Sequence, residues 1–570
     1  MHLIPEVKKF KECEKFVING CKFIFDDNVD IRVINLSKKV NEGSTIVSVK
    51  VIDEGKTEYK MSLCKDKVEI TAYSQESAFY AIQTLRQIIK FGYCDVCQII
   101  DSPDYNERGF YLDITRGRIP TLDTLKELVD NLAYYKMNML QLYVEHTFPF
   151  KEYDGIYQRT GYITPDEIVE LDKYCIENFI EFVPSLSCFG HLYELLSDER
   201  YKDLCELENY SDSTVFWCER MGHHTINPLD ERSIELIKSL IDQYSPLFSS
   251  NKFNICCDET FDLGNGRNKG KDKGRLYVDF VRKIVDHVKS KGKIPMMWGD
   301  VITQHADLIG EIGEGVIYLS WGYSANESPN AVNKVKEAGK VQYVCPGLSN
   351  WTSLIEMPQT SIPNITKMAK YGYEAKAEGI LTTCWGDYGH ISSVYACMYG
   401  TIFACAKSWN VNYDYCTFDE SLDTLYYGYS GASKIVKAIA NAYKTCYWYE
   451  LVCDYSNEKF GNTRMNAWKK AEPDDLVSGY NELEEAIIEL LSTSWENNKV
   501  KDILLCVAQG SQLMISMLMA RATGEKFGTV LKDVETWLTE FSKHYLKESK
   551  KGELEEFVKV MYYLGEKYIK

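Results

Sequence analysis

Two neighbouring carboxylates, Asp258-Glu259, follow the apolar run Phe253-Asn254-Ile255-Cys256-Cys257. Consecutive strand residues point to opposite faces. At a strand end such a pair can straddle one bound ring, with one acid beside a departing oxygen and the other beside a ring substituent. The first position suits general acid–base work. Related short motifs end or follow other apolar runs: Trp298-Gly299-Asp300, Trp321-Gly322, Trp385-Gly386-Asp387, Gly190-His191 and Glu145-His146. Carboxylates beside indole faces suit a saccharide, whose apolar ring face stacks on the aromatic while its hydroxyls bond the acids. Each residue also has a plainer use. An acid pair caps a loop, a tryptophan packs a barrel top, and a histidine sits satisfied in a core.

These residues need a scaffold that gathers strand ends. Short β-branched and aromatic runs occur at 109–114, 139–145, 180–186, 253–257, 294–298, 316–321, 341–345 and 380–385. Helical periodicity separates them, at 122–135, 165–178, 231–244, 275–289, 331–337 and 362–373. Eight strand–helix units predict a (β/α)8 barrel, whose functional groups collect at the C-terminal ends of the strands. An open doubly wound sheet competes, but it wants a glycine-rich phosphate turn after an early strand. Asp113-Ile114-Thr115-Arg116-Gly117-Arg118 is not one. Residues 1–103 read as a small α/β domain, with strands near 44–52 and 67–72 and a helix near 77–89. Residues 104–410 read as the barrel. Residues 411–570 read as a helical domain, with amphipathic stretches at 433–443, 474–491, 503–520 and 531–546.

Composition narrows the partners. The chain has 570 residues, 65 Lys plus Arg against 83 Asp plus Glu, and a formal net charge of -18. That balance opposes nucleic-acid and anionic-membrane binding. The 19 cysteines follow no disulfide framework. With no apolar leader in the first residues, reduced thiols and a cytoplasmic location are expected. The lone Cys94-Asp95-Val96-Cys97 lacks the second pair that a structural zinc site needs. The apolar run 503–520 is interrupted by Gln509, Gly510, Ser511 and Gln512, and is expected to be a buried helix.

Several motifs in order resemble glycoside hydrolase family 20, the β-N-acetylhexosaminidases. Asn254-Ile255-Cys256-Cys257-Asp258-Glu259 followed by Thr260-Phe261-Asp262-Leu263-Gly264 resembles the family's strand-4 motif. Arg108-Gly109 with Leu112-Asp113-Ile114 and Arg116 is similar to its strand-1 segment. Tyr135-Lys136-Met137-Asn138, Phe189-Gly190-His191 and Trp385-Gly386-Asp387 also fit, and Ala78-Phe79-Tyr80-Ala81-Ile82-Gln83-Thr84-Leu85 is similar to the end of the small domain before the barrel. The likeness spans roughly residues 1–410. It implies an exo-acting, retaining enzyme that is substrate-assisted, with the sugar's own acetamide oxygen as nucleophile.

The resemblance also implies roles. Glu259 matches the general acid and Asp258 the residue that holds the acetamide N–H. Arg108 would grip hydroxyls at the far side of the sugar. His191 would support Glu259 through Glu145 or His146. Trp298, Trp321, Trp351 and Trp385 would wall the pocket, and Asp387 would take the 4- or 6-hydroxyl. No metal or cofactor is implied. The expected partner is an oligosaccharide or small molecule ending in N-acetylhexosamine, and a homodimer is compatible. The chain departs from the family pattern at three places. Cys256 and Cys257 stand where two glycines are usual, Glu145-His146 ends strand 2, and Pro346-Gly347-Leu348-Ser349-Asn350-Trp351 replaces a Tyr-Leu-Asp after strand 7. Tyr343, Asn350 and Trp351 are therefore the candidates for the acetamide carbonyl. His223-His224 and the 262–273 loop receive no role.

Two other readings stay open. One is a metal-dependent barrel hydrolase, although strand 1 has no histidine. The other is a sugar-binding protein on an inactive barrel, although both Asp258 and Glu259 are present.

Overall fold

The computed structural model describes residues 2–208, 217, 220–222, 224–443, 448–460 and 472–569. The first unit is a six-stranded sheet: β1 Lys9–Phe16, β2 Cys21–Phe25, β3 Thr45–Val51, β4 Tyr59–Leu63, β5 Lys67–Ala72 and β6 Cys94–Asp101, in spatial order β1-β6-β4-β5-β3-β2. Thr45, Val47, Val49 and Val51 alternate along β3 with more exposed residues and bury one face, and the helix Gln75–Phe91 contacts β3, β4, β5 and β6. Ser74 starts that helix with a capping box, and Gly92 ends it at φ 78.

The second unit is the barrel. Its strands are β7 Glu107–Asp113, β8 Met139–Val144, β9 Glu181–Leu186, β10 Lys252–Asn254, β11 Ile294–Trp298, β12 Ile317–Trp321, β13 Gln342–Cys345 and β15 Gly379–Cys384, with a two-residue β14, Gly347–Leu348, beside the last. All neighbours are parallel, and β15 pairs with both β13 and β7, which closes the cylinder. Strands covered on both faces read as continuous apolar runs, and β8 and β15 are buried throughout. Tyr111, Met139, Val183, Met296, Leu319 and Leu381 fill the interior beneath Trp298 and Trp385.

The base of the barrel is tied to the small domain by buried polar links. Asp101 accepts from Tyr59 at 2.8 Å and from Trp409 and Lys136 at 3.1 Å. Arg108 belongs to this base. Its guanidinium donates to the carbonyls of Lys136, Tyr105 and Asn106 and to Tyr80 Oη, at 2.7–2.9 Å.

Helices dominate the rest, including Ala432–Tyr443, Pro473–Ser492, Asn498–Thr523, Leu531–Glu548 and Leu554–Tyr568. Asn498–Thr523 is the one described helix long and apolar enough to cross a membrane, and 83% of its apolar window is buried inside the protein. It is the core helix of this bundle, packing against the helices on either side of it in sequence.

Candidate active site

Strand β10 is shorter than its apolar run predicts. Cys256, Cys257 and Glu259 take φ of 55°, 65° and 46°, the left-handed region that a Cβ disfavours. The surrounding bonds over-determine this strained turn. Cys256 N–H donates to Asn254 Oδ1 at 3.0 Å, Trp298 N–H to the Cys256 carbonyl at 3.0 Å, and Tyr277 Oη–H to the Cys257 carbonyl at 2.8 Å. Glu259 N–H donates to Asp300 Oδ2 at 3.1 Å. The turn overrides the alternation expected of a strand. Asp258 and Glu259 do not diverge; both reach His191 Nε2, at 3.3 and 3.4 Å.

His191 stands in the loop after β9, itself at φ 58°. Gly190 before it lies so close to the Cys256–Glu259 turn that an added Cβ would sit 2.6 Å from the Asp258 carbonyl oxygen. Burial alone would depress the imidazole pKa. The Asp258 charge and hydrogen bonds to both acids outweigh it and carry the ring to about 10. Arg116 Nη2 approaches Nδ1 to 3.2 Å, a contact that a charged ring resists. Glu145 Oε1, 3.5 Å from Arg116 and 3.9 Å from His191 Nδ1, offsets that repulsion. Burial pushes Glu145 up, but His146, Arg116 and His191 hold it down at about 2.

The sign of the resulting pH effect is fixed. A folded-state pKa of about 10 against an ordinary 6.5 makes His191 stabilising. That contribution is full below about pH 6.5 and fades as pH rises toward 10. His191→Gln is therefore expected to flatten the loss of stability between pH 7 and 10, read from urea midpoints; an unchanged slope would remove the buried imidazolium from the account.

The acids open into a cavity of about 220 Å³ lined by Arg116, Met221, Asp258, Glu259, Trp298, Trp321, Tyr323, Trp351, Trp385 and Asp387. Trp298 and Trp385 pack on each other with centroids 5.7 Å apart, and Trp321 stacks on Tyr323 at 5.0 Å. Arg116 Nη1 donates to Asp113 and Asp387, both at 3.1 Å. Burial raises Asp387 to about 6 against the pull of Arg116, which leaves it ionised at neutral pH. Burial first and the Asp258 charge second also raise Asp300 behind the pair.

Seven of the sequence-derived site residues line this cavity: Asp258, Glu259, Trp298, Trp321, Trp351, Trp385 and Asp387. Glu145 and His191 stand behind it. Three others are elsewhere. Arg108 lies at the opposite end of β7, because it opens the strand while functional groups follow strand C-termini. Tyr343 sits low in the barrel, its ring 2.9 Å from where a Cβ on Gly379 would be, two residues before β13 ends. Asn350 lies behind the wall and donates to the Trp385 carbonyl at 2.8 Å and to Ser392 Oγ at 3.1 Å. His223 is outside the described residues; His224 is buried and held neutral, near 4. Cys94 and Cys97 bond separate carbonyls, of Val96 and Lys11.

Arg116, Tyr323 and Met221 are the pocket residues that the sequence reading passes over. Arg116 lies three residues beyond the end of β7 and Tyr323 two beyond β12, so the strand-end rule could have found both. Met221 carries no such signal. Tyr323 also accounts for the altered segment after β13. An added Cβ on Gly347 would meet the Tyr323 ring at 2.7 Å, so the glycine there makes room for a tyrosine arriving from the neighbouring strand. Tyr323 Oη accepts Trp385 Nε1–H at 2.8 Å, which leaves its own proton to donate. Arg116→Gln is expected to lower kcat/KM about 100-fold, whereas Arg108→Lys lowers Tm and leaves KM unchanged. Steady-state kinetics with thermal melts separate the two, and the reverse pattern would contradict the placement.

Residues 105–349 match the sequence model described as glycosyl hydrolase family 20, catalytic domain. This barrel is similar to the family 20 catalytic domain, at low identity to its relatives. Hexosaminidase D of Bos taurus is 24% identical over 205 residues, 34% of this chain and 56% of that protein. Hexosaminidase D of Homo sapiens is 22% identical over 322 residues, 51% and 62%. The chain thus spans less than two thirds of these curated relatives. The family 20 fold is shared with the chitobiase of Flavobacterium johnsoniae, at a TM-score of 0.60 and 16% identity over 98% of this chain and 99% of that one. It is shared also with the β-N-acetylhexosaminidase of Bacteroides fragilis NCTC 9343, at 0.57 and 16% over 72% and 90%.

Proposed function

We propose that this barrel is an exo-acting, retaining β-N-acetylhexosaminidase that releases terminal non-reducing N-acetylglucosamine or N-acetylgalactosamine by substrate-assisted catalysis. The observation that carries this reading is the convergence of Asp258 and Glu259 on one imidazole, at 3.3 and 3.4 Å, at the wall of a tryptophan-lined cavity. The acetamide oxygen attacks the anomeric carbon and closes an oxazolinium ring. Asp258 accepts the acetamide N–H and balances its growing positive charge. Glu259 gives its proton to the departing oxygen and then takes one from water. Tyr323 donates to the acetamide oxygen and aligns it, the part for which Tyr343 and Asn350 lie too far. Arg116, rather than Arg108, takes the distant hydroxyls with Asp387. The named hexosaminidase relatives support the substrate class. The described cysteines are free, which supports a reducing, cytoplasmic setting.

A panel of aryl glycosides tests the assignment. Cleavage is expected for β-linked 2-acetamido sugars, and comparable cleavage of plain β-glucosides would overturn it.

One observation favours a second reading. Ligand atoms of His191, Asp258 and Glu259 lie within 4.8 Å of one another, a set able to hold a metal ion. A metal there would have to displace the proton that His191 shares with both acids. Dialysis against chelator is expected to leave activity unchanged; a loss restored by added metal would favour the second reading.

A further inference from the structure

The helical domain meets the barrel beside the pocket residues Arg116, Met221 and Asp387. Neighbours of all three converge there on one carboxylate, Glu553, which is 8% exposed and lies at the start of the helix Leu554–Tyr568. Glu553 Oε1 accepts from Arg220 Nη2 at 2.7 Å, and Oε2 accepts from Trp217 Nε1 at 2.8 Å. Arg220 immediately precedes Met221 and also donates to Glu194 at 3.0 Å. Gly117, next to Arg116, is packed into the same point. A Cβ there would meet the Gly389 carbonyl oxygen at 2.4 Å and Glu553 Oε2 at 3.1 Å, and a Cβ on Gly389 would meet the Trp217 ring at 3.0 Å. The neighbouring helix adds Tyr545 Oη–H to the Gly117 carbonyl at 2.7 Å, and Trp448 Nε1–H donates to the Tyr388 carbonyl at 2.9 Å. Arg116, Met221 and Asp387 are thus each one or two positions from a group seated on this node.

We propose that Glu553 is a positioning residue for glycone binding, through which the helical domain sets the Arg116, Met221 and Asp387 side of the pocket. A buried carboxylate shared by an arginine and an indole fixes both in direction as well as distance. Removing its charge releases Trp217 and Arg220 first, and the Gly117 and Gly389 loops packed around them follow. Such a residue alters how the sugar is held and leaves the reacting bond to Asp258 and Glu259. This inference rests on the glycosidase reading for its kinetic consequence, but the coupling of the loops does not depend on it.

Glu553→Gln in the full-length chain is the test, read by hydrogen exchange and by kinetics on an aryl β-N-acetylhexosaminide. Peptides containing Gly117, Arg220 and Gly389 are expected to exchange at least tenfold faster while the barrel helices stay protected. KM is expected to rise about tenfold with kcat within threefold, the pattern of lost ground-state and transition-state binding together. Unchanged exchange in those three peptides, or faster exchange with unchanged KM in an active enzyme, overturns the proposal. If the wild-type chain cleaves no such glycoside, the glycosidase reading fails, while the exchange result still decides the coupling. Should Glu553→Gln not fold, Glu553→Asp keeps the charge but withdraws it from Arg220 and Trp217. It is then expected to speed exchange in the same peptides and raise KM, and no change in either would overturn the proposal equally.

Discussion

Glu259→Gln is expected to cut turnover of glycosides with poor leaving groups by about 10²–10⁴-fold, the usual span of a general acid's contribution. The amide keeps the size of the carboxyl and a polar group near His191 Nε2, so the turn at Cys256-Cys257 and the pocket wall should survive. What disappears is the transferable proton. An alkoxide or sugar leaving group cannot depart without it, whereas a dinitrophenolate departs unaided. The loss on a dinitrophenyl substrate is therefore expected to stay within about tenfold for cyclisation, and the dependence of rate on leaving-group pKa should steepen. Turnover of a matched pair of substrates measures this. Equal losses on both would take the acid's role away from Glu259.

Asp258→Asn is expected to lower kcat by about 10²–10³-fold on every substrate, whatever its leaving group, because the charge it balances forms on the acetamide in each case. Asparagine preserves shape but reverses part of the chemistry. Its amide nitrogen turns a donor toward the acetamide N–H, and its neutral group no longer holds His191 protonated across 3.3 Å. Affinity for a thiazoline that mimics the cyclised sugar should fall with kcat, since it copies the species that Asp258 stabilises. Isothermal calorimetry beside steady-state kinetics reads both quantities. Unchanged turnover would place Asp258 outside the reaction.

Much of this site was legible before any coordinates, for a simple reason. In a parallel barrel the strand ends are known once the strands are known, and apolar runs such as those at β8 and β15 announce themselves. The tryptophans that end β11 and β12 and the one that follows β15 come from that rule. The misplacements break it. Arg108 opens β7, and Tyr343 lies inside β13 rather than beyond it, so both sit low in the barrel. Applied consistently, the same rule selects Arg116 and Tyr323. The direction of Asp258 and Glu259 was not legible, because strand alternation stops where Cys256 enters the left-handed region, and that turn depends on bonds from Tyr277, Trp298 and Asp300. Nor was Met221, whose place depends on Glu553, more than 300 residues away in sequence.

The most direct test of substrate assistance is a series of aryl β-glycosides whose N-acetyl group carries zero, one, two or three fluorines. Fluorine drains the acetamide oxygen of nucleophilic power and leaves the leaving group untouched. If that oxygen attacks the anomeric carbon, kcat/KM falls steeply and steadily along the series. A rate that stays level across all four substrates would mean that the nucleophile comes from elsewhere.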